Sequence, residues 1–496
     1  MEQATAASIA EKERKQAGGK VDEHDLREEE FGIPDEDLER YGGERYPAHE
    51  YLILSTAGKP VFWSKIKQSI QDEEDQMEAT RVGLLQAIIS NYAENNKKKL
   101  YETSAEVLEL PKTGKTTFLL RPPLYLVAVS YWDEPNSTLR NHLEYLHQAV
   151  ISLVSASKLN KLFDRAANFD LKRLLQGTDN ILDSLLTRLQ LETIAMRGAL
   201  QPLRLNAAIR HDVGAALIPT RSKQARPQDA LYAVLLTRNG IVTLARRRKH
   251  SIHPVDCHLL VNTVLSTNAL KEGGTQSWVP ICLPKFAPQG FLYAHVSFLD
   301  DEGKQDKNEK VKGDTTAASA SNRHPDLGLV LVTANPDGFD DMSAWRDRIV
   351  DEAATRSTST NATTTSIRYS ADELGIAGLR HFCFKWRSNV QSTSSSYEDP
   401  YTPGTDDHRR LLYLYGLAYE YQSMGIGTSQ GRSTTSTHVI RTQNEAILAW
   451  STPPFELYIC ASPHIPNSTL INMAKSVVKW VKQEEHQLFI VSAPIF

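Results

Sequence analysis

The triplet Gly114-Lys115-Thr116 ends like a phosphate-binding loop, which would cradle nucleotide phosphates on backbone N–H groups. Such a loop needs another glycine five residues earlier, where this chain has Glu109, and a helix to follow. The next residues, Thr-Phe-Leu-Leu-Arg-Pro-Pro, read as a strand ended by prolines, so a hairpin turn is expected. His250, His253, Cys257 and His258 are zinc-type donors lying close together. Their spacing matches no common finger and Pro254 restricts the backbone among them, so structural histidines and one buried thiol are expected. The sequence holds no nucleophile elbow, paired metal-binding helix or dinucleotide glycine pattern. A hydrolytic triad assembled only in three dimensions stays open as an alternative. No cofactor and no metal site is expected.

The densest basic run is Arg246-Arg247-Arg248-Lys249. It reads either as a solvated strand end or as a contact for anionic phosphoinositide membranes, where each cation contributes about 1 kcal/mol. Lys97-Lys98-Lys99 follows a helical stretch and suits the negative end of its dipole. Asn136-Ser-Thr, Asn361-Ala-Thr and Asn467-Ser-Thr fit the glycosylation pattern, but the first and last are expected to cap helices through their side-chain oxygens.

The elements that would position these groups recur along the chain. Tyr-Leu-Ile-Leu-Ser (51–55) has a strand's composition, Thr56 to Lys59 a turn's, and a second strand begins at Pro60. Residues 232–245 repeat this design around Asn239-Gly240, a turn pair that favours positive φ. Residues 122–139 align without gaps to 453–470, from Pro-Pro to Pro-Asn-Ser-Thr-Leu. Each reads as buried strand, loop and amphipathic helix, and 327–350 is a looser third copy. Three such units at domain-sized spacing argue for three related α/β domains.

The expected boundaries are an acidic, disordered tail over 1–47 with an apolar island at Phe31–Pro34, then domains over 48–195, 228–355 and 376–496. Linkers are expected at 196–227 and 356–375. The stretches 301–324, 355–370, 388–408 and 424–437 are polar enough to read as long loops. Leucines between 171 and 189 mark extra helix that either closes the first domain or braces it against the second.

Residues 77–93 lack a charged face. At ~100° per residue, Met77, Val82, Leu84, Leu85, Ile88, Ile89 and Tyr92 share a broad arc expected to lie on the first sheet. The other side carries Ala79, Gly83, Gln86, Ala87 and Ser90, and no charge occurs from Val82 through Ala93. Such a side is either covered by the chain's own domains or meets a second protein. Gly83, Gln86, Ala87 and Ser90 are the expected contacts, because small residues let another backbone come close.

Bulk properties narrow the classes. The 496 residues suffice for about three domains. A net charge of −4 gives no global pull on nucleic acid, and no nucleic-acid partner is expected. The four cysteines form no CxxC pair, which suits reduced thiols in a cytoplasmic protein. No apolar run reaches the ~18 residues that a membrane span needs, and the charged N-terminus lacks the apolar core of a signal peptide.

Several segments resemble one family. They are 49–63, 237–262, 277–299, 379–386 and 441–462, with Ser-Trp-Val-Pro-Ile-Cys-Leu-Pro-Lys-Phe and Gly-Phe-Leu-Tyr-Ala-His-Val the most specific stretches. Together they are similar to the monensin-sensitivity vacuolar fusion family across nearly the whole chain. The resemblance implies three tandem longin (roadblock/longin-like) domains, each a mainly antiparallel five-stranded sheet flanked by helices. It implies a heterodimer with a second triple-longin protein, the calcium-caffeine-zinc-sensitivity subunit. That pair would act as guanine-nucleotide exchange factor for the late-endosomal and vacuolar Rab GTPase, without covalent chemistry of its own. It also implies peripheral recruitment to late endosome, vacuole and autophagosome membranes carrying phosphatidylinositol 3-phosphate. A scaffold or tether without exchange activity is the competing expectation.

Overall fold

The structure, a computed structural model, describes residues 26–30, 46–64, 82–89, 105–110, 114–132, 134–218, 227–237, 240–271, 275–299, 327–355, 369–425, 435–491 and 493–495. The Phe31–Pro34 island, Lys97–Lys99, the 301–324 stretch and Asn361 lie outside these residues. The described residues form three sheets, one per expected domain.

The first sheet holds β2 (Glu50–Ser55), β3 (Pro60–Trp63), β4 (Ala105–Leu110), β5 (Gly114–Arg121) and β6 (Leu124–Ser130), ordered β3-β2-β6-β5-β4. The second holds β7 (Ala230–Thr237), β8 (Gly240–Arg246), β9 (Gln276–Ile281), β10 (Leu292–Leu299) and β11 (Leu327–Thr333), ordered β8-β7-β11-β10-β9. The third holds β12 (Leu379–Trp386), β13 (Gln391–Ser394), β14 (Ser436–Arg441), β15 (Ala446–Ser451) and β16 (Phe455–Ala461), ordered β14-β15-β16-β12-β13. Numbered within each domain, all three have the order 2-1-5-4-3 with every neighbour antiparallel.

The aligned sequence segments explain this identity. They become β6, β11 and β16, the middle strand of each sheet, and each is mostly apolar and almost wholly buried because both its faces are covered. A helix follows every one: Asn136–Val154, Phe339–Thr355 and Asn467–Gln483. In the first of these the cap position is Pro135 and no side chain caps the helix, so the expected Asn-Ser-Thr cap is not made. Asn136 is already helical, one residue too late for its oxygen to reach back.

Four further differences from the sequence reading have physical causes. Within the acidic tail, Leu26–Glu30 forms β1, parallel to β14 at the edge of the third sheet, where β14's unpaired backbone groups offer a partner. The segment 196–227 contains a helix, Ala207–Ala216, which joins Leu203, Leu205, Val213 and Leu217 to the core beneath β7 and β8. The serine-rich 388–408 stretch is ordered: Ser392, Thr393 and Ser395 are buried with their hydroxyl demands met, as where Thr393 Oγ1 lies 2.6 Å from the Tyr369 hydroxyl. Residues 483–496 leave the third domain. They group with the second, where Ile490 enters the core and the Gln487 carbonyl accepts from Leu205 N at 3.0 Å.

Two compact units result. One joins the first and third domains (1–199 with 369–482) and the other holds the second domain with the C-terminal segment. The extra helix Asp179–Leu191 closes the first domain against Asn136–Val154, burying Leu182, Leu185, Leu186 and Leu189. Within that unit the first and third domains meet closely. Arg409 Nη1 donates to the Tyr46 carbonyl at 2.6 Å, and a Cβ at Gly416 would stand 3.1 Å from Thr138 Oγ1.

Candidate functional site

The turn between β2 and β3 positions the uncharged helix. Ser55 N donates to the Lys59 carbonyl at 2.9 Å and Gly58 N to the Ser55 carbonyl at 2.8 Å, with Gly58 at φ +79°. The helix over 82–89 lies on the three inner strands of the first sheet, β2, β6 and β5. Val82, Leu85 and Ile89 pack on Leu52, Leu54, Phe118, Leu120 and Val127.

The opposite side faces outward. Gly83 and Ala87 are exposed as expected, and so is Leu84, at 58%. The sequence reading had put Leu84 on the buried arc. Measured from the centre set by Val82, Leu85 and Ile89, Leu84 sits about 130° away, beyond the reach of the sheet. Gln86 is half-buried, its amide against Gly58: a Cβ there would stand 2.0 Å from Gln86 Oε1. Ser90 lies outside the described residues. The outward surface is therefore Gly83, Leu84 and Ala87, with a large apolar side chain beside two small residues. Leu84 is one of only five exposed large apolar side chains among the described residues.

The basic run divides. Arg246 ends β8 half-buried, and its Nη1 donates to the His250 carbonyl at 3.2 Å. Arg247, Arg248 and Lys249 are exposed on the turn that follows, closed by His250 N donating to the Arg247 carbonyl at 3.0 Å. The neighbouring histidines and thiol serve the fold. His253 caps the helix Pro254–Ser266 by accepting from Val255 N, and Cys257 is fully buried in the second core. Among the described residues no group of three or more His, Cys, Asp or Glu could hold a metal ion. Gly114-Lys115-Thr116 opens β5, paired antiparallel with β4, as the hairpin reading expected.

Sequence reasoning missed a buried polar cluster where the first and third domains meet. His49 Nε2 and Glu134 Oε1 lie 2.8 Å apart, both essentially without solvent access. Burial pushes the Glu134 carboxyl up, but His49 and the Ser130 hydroxyl, 2.7 Å from Oε2, bring it below its ordinary value. The Tyr51 hydroxyl lies in hydrogen-bond contact with His142 Nδ1 at 2.8 Å, and burial drives His142 down to about 3, so this ring is neutral. His49, Glu134 and His142 line a small cleft together with Trp132, Met196, Tyr413 and Tyr419. Only the fold brings His49, Glu134 and His142 together, and no local spacing signals it.

Three equivalent sheets, each backed by a helix after its central strand, make this a protein of three longin domains. Residues 49–185, 228–351 and 378–485 match the first, second and third longin domains of FUZ, MON1 and HPS1. The chain is 36% identical to vacuolar fusion protein MON1 of Cryptococcus neoformans, over 91% of this chain and 66% of that protein. It is 32% identical to vacuolar fusion protein MON1 of Mycosarcoma maydis, over 91% and 69%. It is 32% identical to vacuolar fusion protein MON1 homolog A of Homo sapiens, over 89% and 60%. The chain thus spans just under two thirds of the first of these relatives and less of the human one. It belongs to the MON1 family. Among the described residues no helix is long and apolar enough to cross a membrane.

Proposed function

We propose that this chain is one subunit of a heterodimeric guanine-nucleotide exchange factor for the late-endosomal and vacuolar Rab GTPase, acting in vacuole and endosome fusion. Its relatives are named for vacuolar fusion. The observation that carries the reading is the outward surface of helix 82–89, where Leu84 is 58% exposed beside Gly83 and Ala87. An apolar side chain beside small residues suits close docking of another protein. The first longin domain and its equivalent in a second triple-longin protein, the calcium-caffeine-zinc-sensitivity subunit, would form the platform on which the GTPase sits.

Exchange on such a platform makes and breaks no covalent bond. The platform binds the nucleotide-free GTPase better than the loaded form, and by linkage it lowers nucleotide affinity by the same factor. Arg247, Arg248 and Lys249 would hold the complex peripherally on anionic phosphoinositide membranes, at about 1 kcal/mol per cation. Purified chain, with and without the second subunit, should be mixed with Rab loaded with fluorescent nucleotide. Accelerated release with the pair supports exchange. Release at the intrinsic rate under both conditions, with the subunits still paired, favours a scaffold.

A further inference from the structure

We infer that Val491 and Ile495 join Arg247, Arg248 and Lys249 in one insertion face, whose occupant is the interfacial layer of a bilayer with anionic headgroups. This rests on the membrane reading of the basic turn and adds an apolar part to it.

Val491 and Ile495 are 39% and 46% exposed, two of the five exposed large apolar side chains among the described residues. The end of their segment, Pro494 and Ile495, runs beside the root of the basic turn. Arg246 N donates to the Pro494 carbonyl at 3.1 Å, and Arg246 pairs with Ile495 in a parallel bridge. Paired backbones lie about 5 Å apart, so Ile495 stands next to the strand end that carries the three exposed cations.

The segment is held firmly. Arg210 is buried and donates to the Gln487 carbonyl at 2.7 Å, the Val242 carbonyl at 2.6 Å and the Leu203 carbonyl at 2.5 Å. Ile490 is in the second core, Ala493 packs against it, and Pro494 closes on Gly214. The chain therefore turns these three apolar residues inward and keeps Val491 and Ile495 out, so little ordering entropy is lost when they are covered.

Charge decides the occupant. Among the described residues Arg247, Arg248 and Lys249 form no ion pair, and the apolar residues beside them carry no charge of their own. Cations beside protruding aliphatic groups match a surface that is anionic at headgroup level and apolar just beneath.

The test is sedimentation of the full chain with phosphatidylcholine vesicles, with and without phosphatidylserine, at low and high salt. Arg247→Glu with Arg248→Glu should cut binding tenfold or more at low salt and far less at high salt, because screening already weakens that part. Val491→Ser with Ile495→Ser should cut binding about tenfold at both salt concentrations. Ile495→Trp should bind more tightly than the parent and controls for any loss of folding. Unchanged binding of Val491→Ser/Ile495→Ser and of Ile495→Trp, with charge reversal still effective, overturns the insertion face and leaves the basic contact standing. Unchanged binding on charge reversal removes the membrane reading itself.

Discussion

The Gln86 side chain lies against the backbone of Gly58, so the helix of the candidate docking surface is seated on the β2–β3 turn. A Cβ on Gly58 would stand 2.0 Å from Gln86 Oε1, and Gly58 has φ +79°. Gly58→Ala should therefore cost about 1 kcal/mol through backbone strain, with a smaller part from displacing the end of the flexible Gln86 side chain. A double-mutant cycle with Gln86→Ala separates the two. The loss caused by Gly58→Ala should shrink in the Gln86→Ala background and keep the strain part. Equal losses in both backgrounds would show that the two residues do not touch.

In the third domain, Glu445 is 1% exposed and faces Arg410, whose Nη2 is 2.6 Å from Oε1 and whose Nε is 3.2 Å from Oε2. Thr442 Oγ1 donates to the same carboxylate at 3.2 Å. The pair ties the helix Asp406–Gly425 to the β14–β15 turn. Glu445→Ala should destabilise this unit by about 2 kcal/mol, because Arg410 loses its buried partner and keeps only the half-exposed Asp407. Chemical denaturation followed by tryptophan fluorescence measures the loss.

Acid should unfold the protein through its buried histidines. Burial pushes His142 and His381 down to about 3, and His295 and His408 down to about 4. Each is neutral when folded and binds a proton more readily when unfolded. Their contribution is thus complete above the ordinary histidine value of ~6.5 and is lost as pH falls toward 4. Asp256 works in the opposite sense. Burial raises it to about 6, so its proton is favoured in the fold and stability from it is lost as pH rises from ~4 through 6. The thermal midpoint should fall steeply between pH 7 and pH 5, and more steeply still in Asp256→Asn, which removes the opposing contribution.

Arg210 grips three carbonyls, one of them that of Gln487 in the C-terminal segment. Arg210→Met should loosen residues 483–495 and expose them to hydrogen exchange, while β14–β16 keep their protection. Faster exchange across both units would mean that the segment is a global element rather than a strap on the second domain.

The middle strands were legible because they are short, mostly apolar runs bounded by turn residues, and they even share sequence. The triple architecture was legible for the same reason. Leu84 was misplaced because the expected arc also ran through Met77, Ile88 and Tyr92, which moves its centre toward Leu84. Helix Ala207–Ala216 was hidden in a segment whose composition resembles a linker, and its covering role depends on a sheet distant in sequence. Strand β13 was hidden by serines and a threonine, of which Thr393 is satisfied by a tertiary partner, the Tyr369 hydroxyl. The His49–Glu134 pair joins residues too far apart along the chain for any periodicity to reveal.

The most direct test of the docking surface is nucleotide release from the Rab GTPase by the assembled pair, comparing the parent chain with Ala87→Arg. Ala87 is exposed and outside the packed core, so the variant should fold and melt like the parent. Release should drop to the intrinsic rate, or the two subunits should no longer copurify. Parent-like release by a parent-like heterodimer would contradict the assignment.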